Sequence, residues 1–398
     1  MSKVYSKALD QYLEVERIIG HLEGDSEGPC IVFFGGIHGN EPAGVFALKQ
    51  VFDELTEKKT TIRGNVYAIA GNLWALGQSE RFHQTDLNRL WTREKLTAME
   101  SEGFIPANED EKEQMALHQL VQDIMSTKSG PFYFFDLHTT SGKTTPFLTV
   151  NDSLLNRKFS QQYPAPVILG IEEYLDGPLL SYLNELGYVS FGFESGQHDE
   201  LVAIQNHVAF TYLSLVFAGT IDESSIAFDQ YFQSLGSRTS DFYEIYYRCG
   251  ILKGQHFKME PGFVNFQRIK KGQLLAHLAG EPIVAPKDTE MFMPLYQSKG
   301  EDGFFFIRKI PGFFMKSSAL LRKWRFDKLL TILPGIRRSA AHSDTLTVNL
   351  KVARLLAKPV LHLLGFLSKE HKNNQLLIRN REVNAQTNDY RGSKWFEA

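Results

Sequence analysis

The sequence predicts an α/β layered fold, and three observations carry that prediction. Short apolar runs at residues 31–34, 66–70, 132–137, 147–150, 167–169 and 189–193 read as buried strands. Residues 42–55 and 109–125, lying between these runs, have the length and apolar spacing of helices. The alternation of the two kinds of segment places helices against a sheet that contains parallel strands. In such sheets the ligand crevice lies at the carboxyl ends of the strands.

Taken in order, the first strand ends in Gly35-Gly36 and a loop that presents His38 and Glu41. Pro42 follows and suits a first helical turn. The aromatic strand at 132–137 runs into Asp136-Leu137-His138, and the strand at 189–193 runs into Glu194-Ser195-Gly196. His38, His138 and Glu194 therefore fall at strand ends, where one crevice would gather them. Residues 221–240 read as helical. From 243 to 310 the texture changes to short strands punctuated by Gly262, Lys271-Gly272, Gly280, Pro282, Pro286 and Pro294, the pattern of a small β domain.

Beyond residue 312, Val352, Leu355, Leu356, Val360, Leu363, Leu364 and Leu367 recur at helical spacing with basic residues between them. Pro359 should start or kink a helix there. The polar last twenty-odd residues read as disordered. The chain thus divides into a hydrolase domain at 1–240, a small β domain at 241–312 and a basic, partly helical extension at 313–398.

Composition bounds the function. The chain has 398 residues, 43% hydrophobic and 22% charged, as expected of a soluble globular protein with a large core. The net charge of −3 speaks against a polyanion partner for the chain as a whole, and no nucleic-acid partner is expected. That average conceals an asymmetry: residues 311–398 hold 16 Lys and Arg against 6 Asp and Glu. Only Cys30 and Cys249 occur, so a disulfide framework is not expected and a reducing compartment is favoured. No secretory signal and no membrane-spanning run are evident, which makes the cytoplasm the expected location.

Two histidines and a carboxylate at strand ends are what a mononuclear zinc site with an open position needs. His38, Glu41 and His138 supply that set, for one Zn2+ per chain. Bound zinc brings the pKa of a water toward about 7, and Glu194 is the candidate general base and acid. Asp86-Leu87-Asn88-Arg89 adds a substrate handle, since arginine binds carboxylates bidentately and asparagine contributes an amide. Arg81 could polarise a carbonyl, and Asp136 could orient an imidazole.

Together, His38-Gly39-Asn40-Glu41, Asp86-Leu87-Asn88-Arg89, Asp136-Leu137-His138-Thr139-Thr140 and Phe193-Glu194 resemble the succinylglutamate desuccinylase/aspartoacylase family of the zinc carboxypeptidase-like clan. The resemblance covers roughly residues 30–200. It implies a mixed-sheet, carboxypeptidase-like catalytic domain with His38, Glu41 and His138 as zinc ligands. It further implies Glu194 as the catalytic carboxylate, Arg81 as the carbonyl-polarising arginine, and Asn88 and Arg89 as holders of a substrate carboxylate. Residues 262–296 resemble the family's barrel-sandwich-like β domain. Aspartoacylases of the family place another substrate-binding arginine shortly before the catalytic glutamate, whereas residues 170–193 here contain no Lys or Arg.

The expected activity is a zinc-dependent amidohydrolase cleaving an N-acyl amino acid or similar small carboxylate-bearing amide. Two alternatives stay open at this point: a metallocarboxypeptidase on short peptides, and a non-catalytic regulator whose basic tail binds membrane or RNA. The oligomeric state is equally open.

Overall fold

The computed structural model describes residues 1–236, 241–325, 330, 332, 334–338, 345–349, 352, 358–371 and 375–397. Strands β1 (Ser2–Ser6) and β2 (Gln11–Val15) form an N-terminal hairpin. Next along the chain are β3 (Ile18–Glu23), β4 (Ser26–Gly35), β5 (Arg63–Ala70), β6 (Phe132–Thr140), β7 (Phe147–Val150), β8 (Val167–Leu169), β9 (Val189–Gln197) and β10 (Phe242–Gly250). They are followed by β11 (Phe257–Met259), β12 (Arg268–Ile269), β13 (Leu274–Leu278), β14 (Glu281–Val284), β15 (Thr289–Phe292) and β16 (Asp302–Lys309). Eleven of these strands build one mixed sheet in the order β12-β15-β16-β10-β8-β7-β9-β6-β4-β5-β3. At its centre β5, β4, β6 and β9 run parallel.

Alternation within the apolar strands explains the layers. Ile31, Phe33, Tyr133, Phe135, Phe191 and Phe193 point to one face and pack with the helices Ala43–Glu57 and Leu201–Phe217. Val32, Phe34, Phe132 and Phe134 point to the other and meet Leu117, Val121 and Ile124 of the helix Glu109–Thr127. Both faces are covered, so the central strands are apolar at nearly every position, as parallel strands require. The helix Leu201–Phe217 was not legible in advance: it is buried over most of its circumference and carries no polar stripe to give it a period.

The stretch read as a small β domain is continuous with this sheet, because β10 pairs parallel with β8 and carries β16, β15 and β12 behind it. Strands β11, β13 and β14 form a separate three-stranded sheet. The extension departs from the helical reading. Its described residues contain the helices Gly312–Lys323 and Lys358–Leu363, but also a four-stranded antiparallel sheet of β17 (Ile336–Arg338), β18 (Thr345–Asn349), β19 (Phe366–His371) and β20 (Gln375–Asn380). Gly365, at a φ of 85°, stops the helix, and Leu367 then falls in a strand. Leu355 and Leu356 lie outside the described residues.

The polar C-terminus is ordered rather than disordered. Tyr390 and Trp395 are buried, and Trp395 Nε1 donates to Tyr133 Oη at 3.0 Å. The Tyr390 hydroxyl receives the Val189 amide at 2.7 Å, so the last turns close the amino-terminal ends of β6 and β9. Aromatic burial anchors this segment, which a count of polar residues cannot reveal. Both cysteines are free and buried. Among the described residues, no helix is long and apolar enough to cross a membrane.

Buried arginines dock the extension onto the sheet. Arg322 Nη2 reaches Asp152 Oδ2 at 2.8 Å, and Arg381 Nη2 reaches Glu172 at 2.9 Å and Glu173 at 2.6 Å. Removing one partner of such a pair leaves a buried charge uncompensated. Arg381→Ala should therefore lower stability by about 3–5 kcal/mol in chemical denaturation. Lys49→Ala, which breaks the exposed pair with Asp53, should stay within about 0.5 kcal/mol of the parent.

Candidate active site

The parallel strands bring the predicted residues to one end of the sheet. Register pairs His138 directly with Glu194 across β6 and β9, and Phe34 with Asp136 across β4 and β6. Both strands run further than expected, so His138 and Glu194 sit within the last turns of the ladder rather than past it. On the neighbouring strand, Gly36 adopts a φ of 74° and redirects the chain out of β4. A Cβ on Gly39 would lie 2.1 Å from the carbonyl carbon of Ala75, so only glycine lets this loop rest on the helix Leu73–Gln78. The Gly39 amide donates to the Arg81 carbonyl at 3.2 Å, which ties the His38–Glu41 loop to Arg81.

Glu41 is the hub. Its Oε1 lies 2.9 Å from His38 Nδ1 and 2.9 Å from Arg81 Nη1. Its Oε2 lies 3.2 Å from His138 Nδ1 and accepts the Thr139 amide at 2.9 Å. The second nitrogen of each histidine is held by a carboxylate: His38 Nε2 by Asp86 at 3.0 Å and His138 Nε2 by Asp136 at 2.7 Å. Burial opposes ionisation of Glu41, but His38 and His138 together hold it well below the usual carboxylate range. Burial likewise opposes the charge on His138, yet Asp136 and Glu41 keep its proton on well above the ordinary histidine range.

This donor set fits a divalent cation. One ligand atom each from His38, Glu41 and His138 lie within 4.8 Å of one another, and all three residues are buried. Both imidazoles turn Nδ1 to the shared centre, while Nε2 is fixed by an aspartate, the outer support that metal-binding histidines require. The proton on His138 and the guanidinium of Arg81 balance Glu41 in the way an ion would.

Glu194 lines the same cavity. Its Oε2 is buried without a hydrogen-bond partner. Burial, reinforced by Glu41 and Asp136 against the pull of His138, raises its pKa to about 8. Arg81, Asn88 and Arg89 line the cavity too. The Asn88 side-chain Oδ1 accepts the Leu179 amide at 2.8 Å, and Arg89 Nη2 meets Asp302 at 3.0 Å. The structure thus gathers all seven sequence-derived candidates around one space.

Other contributors were missed or read differently. Asp86 supports His38 at 3.0 Å and stands 3.6 Å from Arg81. The symmetry of His38-Asp86 with His138-Asp136 was the available signal. His198 bridges Thr139 Oγ1 at 2.7 Å and Gln297 at 3.2 Å, so it joins the loop after β9 to the roof of the cavity. Gln297 also receives Asn40 Nδ2 at 2.9 Å, a contact across 257 positions that no local pattern announces. His207 is fully buried, edge-on to Phe193, and burial lowers its pKa to about 3. His83 packs against Trp74 with the rings tilted by 60°.

A carboxylate-supported histidine pair around a glutamate, at the strand ends of a mixed α/β sheet, is an arrangement that could hold a divalent ion. Residues 27–205 match the model of the succinylglutamate desuccinylase/aspartoacylase catalytic domain. A succinylglutamate desuccinylase from Photorhabdus laumondii is 38% identical over 77 residues, 19% of this chain and 23% of that protein. One from Pseudomonas putida is 32% identical over 118 residues, 29% of this chain and 32% of that protein. These matches span about a quarter to a third of the relatives' length. The crystal structure of the Vibrio cholerae succinylglutamate desuccinylase shares the fold at a TM-score of 0.52 and 17% identity, covering 77% of this chain and 90% of that one.

The outer aspartates generate a test. Asp86→Asn and Asp136→Asn should each weaken zinc affinity by about 10–100-fold in competition with a chromophoric chelator. Asp53→Asn, on the exposed face of the helix Ala43–Glu57, should leave affinity unchanged.

Proposed function

We propose that the protein is a zinc-dependent amidohydrolase acting on the linear amide of a small N-acylated amino compound. The carrying observation is the orphan Glu194 carboxyl beside the His38-Glu41-His138 group and Arg81, in one buried cavity. Zinc held by His38, Glu41 and His138 would supply Lewis acidity and an acidified water. Glu194 is the group to take the proton of the attacking water and return it to the leaving nitrogen, because burial brings its proton affinity near neutrality. Arg81, which borders the same cavity, would be the guanidinium to face the carbonyl oxygen as charge develops there. Asn88 and Arg89 bound the end of the cavity that receives the rest of the substrate.

The size of the site favours this over a carboxypeptidase acting on peptides. The cavity has a volume of about 120 Å³, and Met293, Leu295, Gln297 and Asp302 form part of its wall. Gln297 ties that wall to Asn40 and His198. A small acyl compound fits such a space, whereas an extended peptide needs an open groove.

The purified protein should hold close to one zinc per chain by elemental analysis. His38→Ala and His138→Ala should lose it, and full retention of metal in both would defeat the assignment. Glu194→Ala should keep zinc but lose amide hydrolysis by about 10²–10⁴-fold, measured as released amine. Loss of metal in that variant would make Glu194 a ligand instead of a base.

A further inference from the structure

The group held by Arg89 points to a narrower substrate class; the argument rests on the hydrolase reading above. An arginine that clamps a substrate carboxylate must offer its guanidinium to the cavity. Here Arg89 Nη2 already meets a carboxylate of the chain itself, Asp302 Oδ2, at 3.0 Å. Arg89 Nη1 donates to the Asn88 carbonyl at 2.8 Å, and its Nε lies 4.0 Å from Glu301. Asp302 is held from behind by Arg248 Nε, so it is fixed in place. The Arg89 and Asp302 side chains are only 17% and 15% exposed, which makes the pair costly to separate.

The rest of the lining points the same way. Its acidic side chains are Glu41, Asp86, Glu194, Glu301 and Asp302, and its arginines are Arg81 and Arg89. A divalent ion at the histidines would still leave that lining without a positive excess. Arg81 is engaged by Glu41 and Asp86 at the reacting end, and residues 170–193 offer no Lys or Arg. A polycarboxylate would therefore enter a cavity whose cations are already matched.

We propose that Asp302 is a specificity-determining residue that fills the carboxylate seat on Arg89. The preferred substrate is an N-acylated amine whose far end is uncharged or cationic, rather than one bearing a carboxylate there.

The test compares N-acetyl amino acids with their own carboxamides, using the zinc-loaded full chain. The parent protein should hydrolyse the carboxamides with a kcat/KM higher by about tenfold, the scale of one charge-assisted hydrogen bond. Asp302→Asn, which keeps the shape but removes the charge, should lower KM for the free carboxylates by about tenfold. A parent protein that prefers free carboxylates, or an Asp302→Asn variant that binds them more weakly, overturns the proposal. Hydrolysis of free carboxylates alone would sink the role of Asp302 while sparing the hydrolase reading. If neither series is turned over, the hydrolase reading fails, and calorimetry of the same pairs decides on Asp302. Tighter carboxamide binding supports it, and tighter carboxylate binding overturns it. The parent-protein comparison stands even if the variant does not fold.

Discussion

Glu41 places a carboxylate where almost no water reaches it, and the site is organised around satisfying that charge. A buried carboxylate is tolerated only when donors and positive charge surround it. Here the partners come from three separated segments: His38 in the same loop, Arg81 after the helix Leu73–Gln78, and His138 with the Thr139 amide on β6. Each histidine then needs an acceptor for its other nitrogen, which draws in Asp86 and Asp136. One buried anion thus recruits two further acids and a guanidinium, and the same set of donors and acceptors suits a divalent ion.

Such a cluster needs a rigid frame, and the parallel strands provide it. With apolar residues on both faces of β4, β6 and β9, their register is tightly specified, because a slip of one residue would turn each buried ring to the wrong layer. Register in turn sets His138 opposite Glu194. The frame is reinforced from outside the catalytic domain. Arg322 and Arg381 bind acids at and beyond the end of β7, and Asp152 adjoins Asn151, which lines the cavity. The extension therefore buttresses one wall of the site.

Much of this was legible because local chemistry dictates it. Aromatic and β-branched runs such as 31–34 and 132–137 have few alternatives to a buried strand. The His38 and Glu41 spacing and the histidine after Asp136 carry their meaning in a few residues. The helix Leu201–Phe217 escaped notice because it is buried on most sides, Asn206, His207, Thr211 and Ser214 included, so no solvent-facing polar stripe marks a period. The heptad-like leucines near residue 360 misled for the opposite reason: a helical spacing was broken by Gly365 and completed as a strand. The order of the C-terminus rests on Tyr390 and Trp395 entering a core more than 190 positions away.

Residue types and spacings by themselves determined the α/β class and the candidate chemistry of His38, Glu41, His138 and Glu194. Only the tertiary structure decided which charges meet. Asp86 met His38, Arg89 took Asp302 from a strand 213 positions later, and Gln297 met Asn40. Short-range patterns encode backbone conformation and a residue's intrinsic chemistry. Electrostatic partnership depends on distances through space, and these exist only once the sheet has brought its strand ends together.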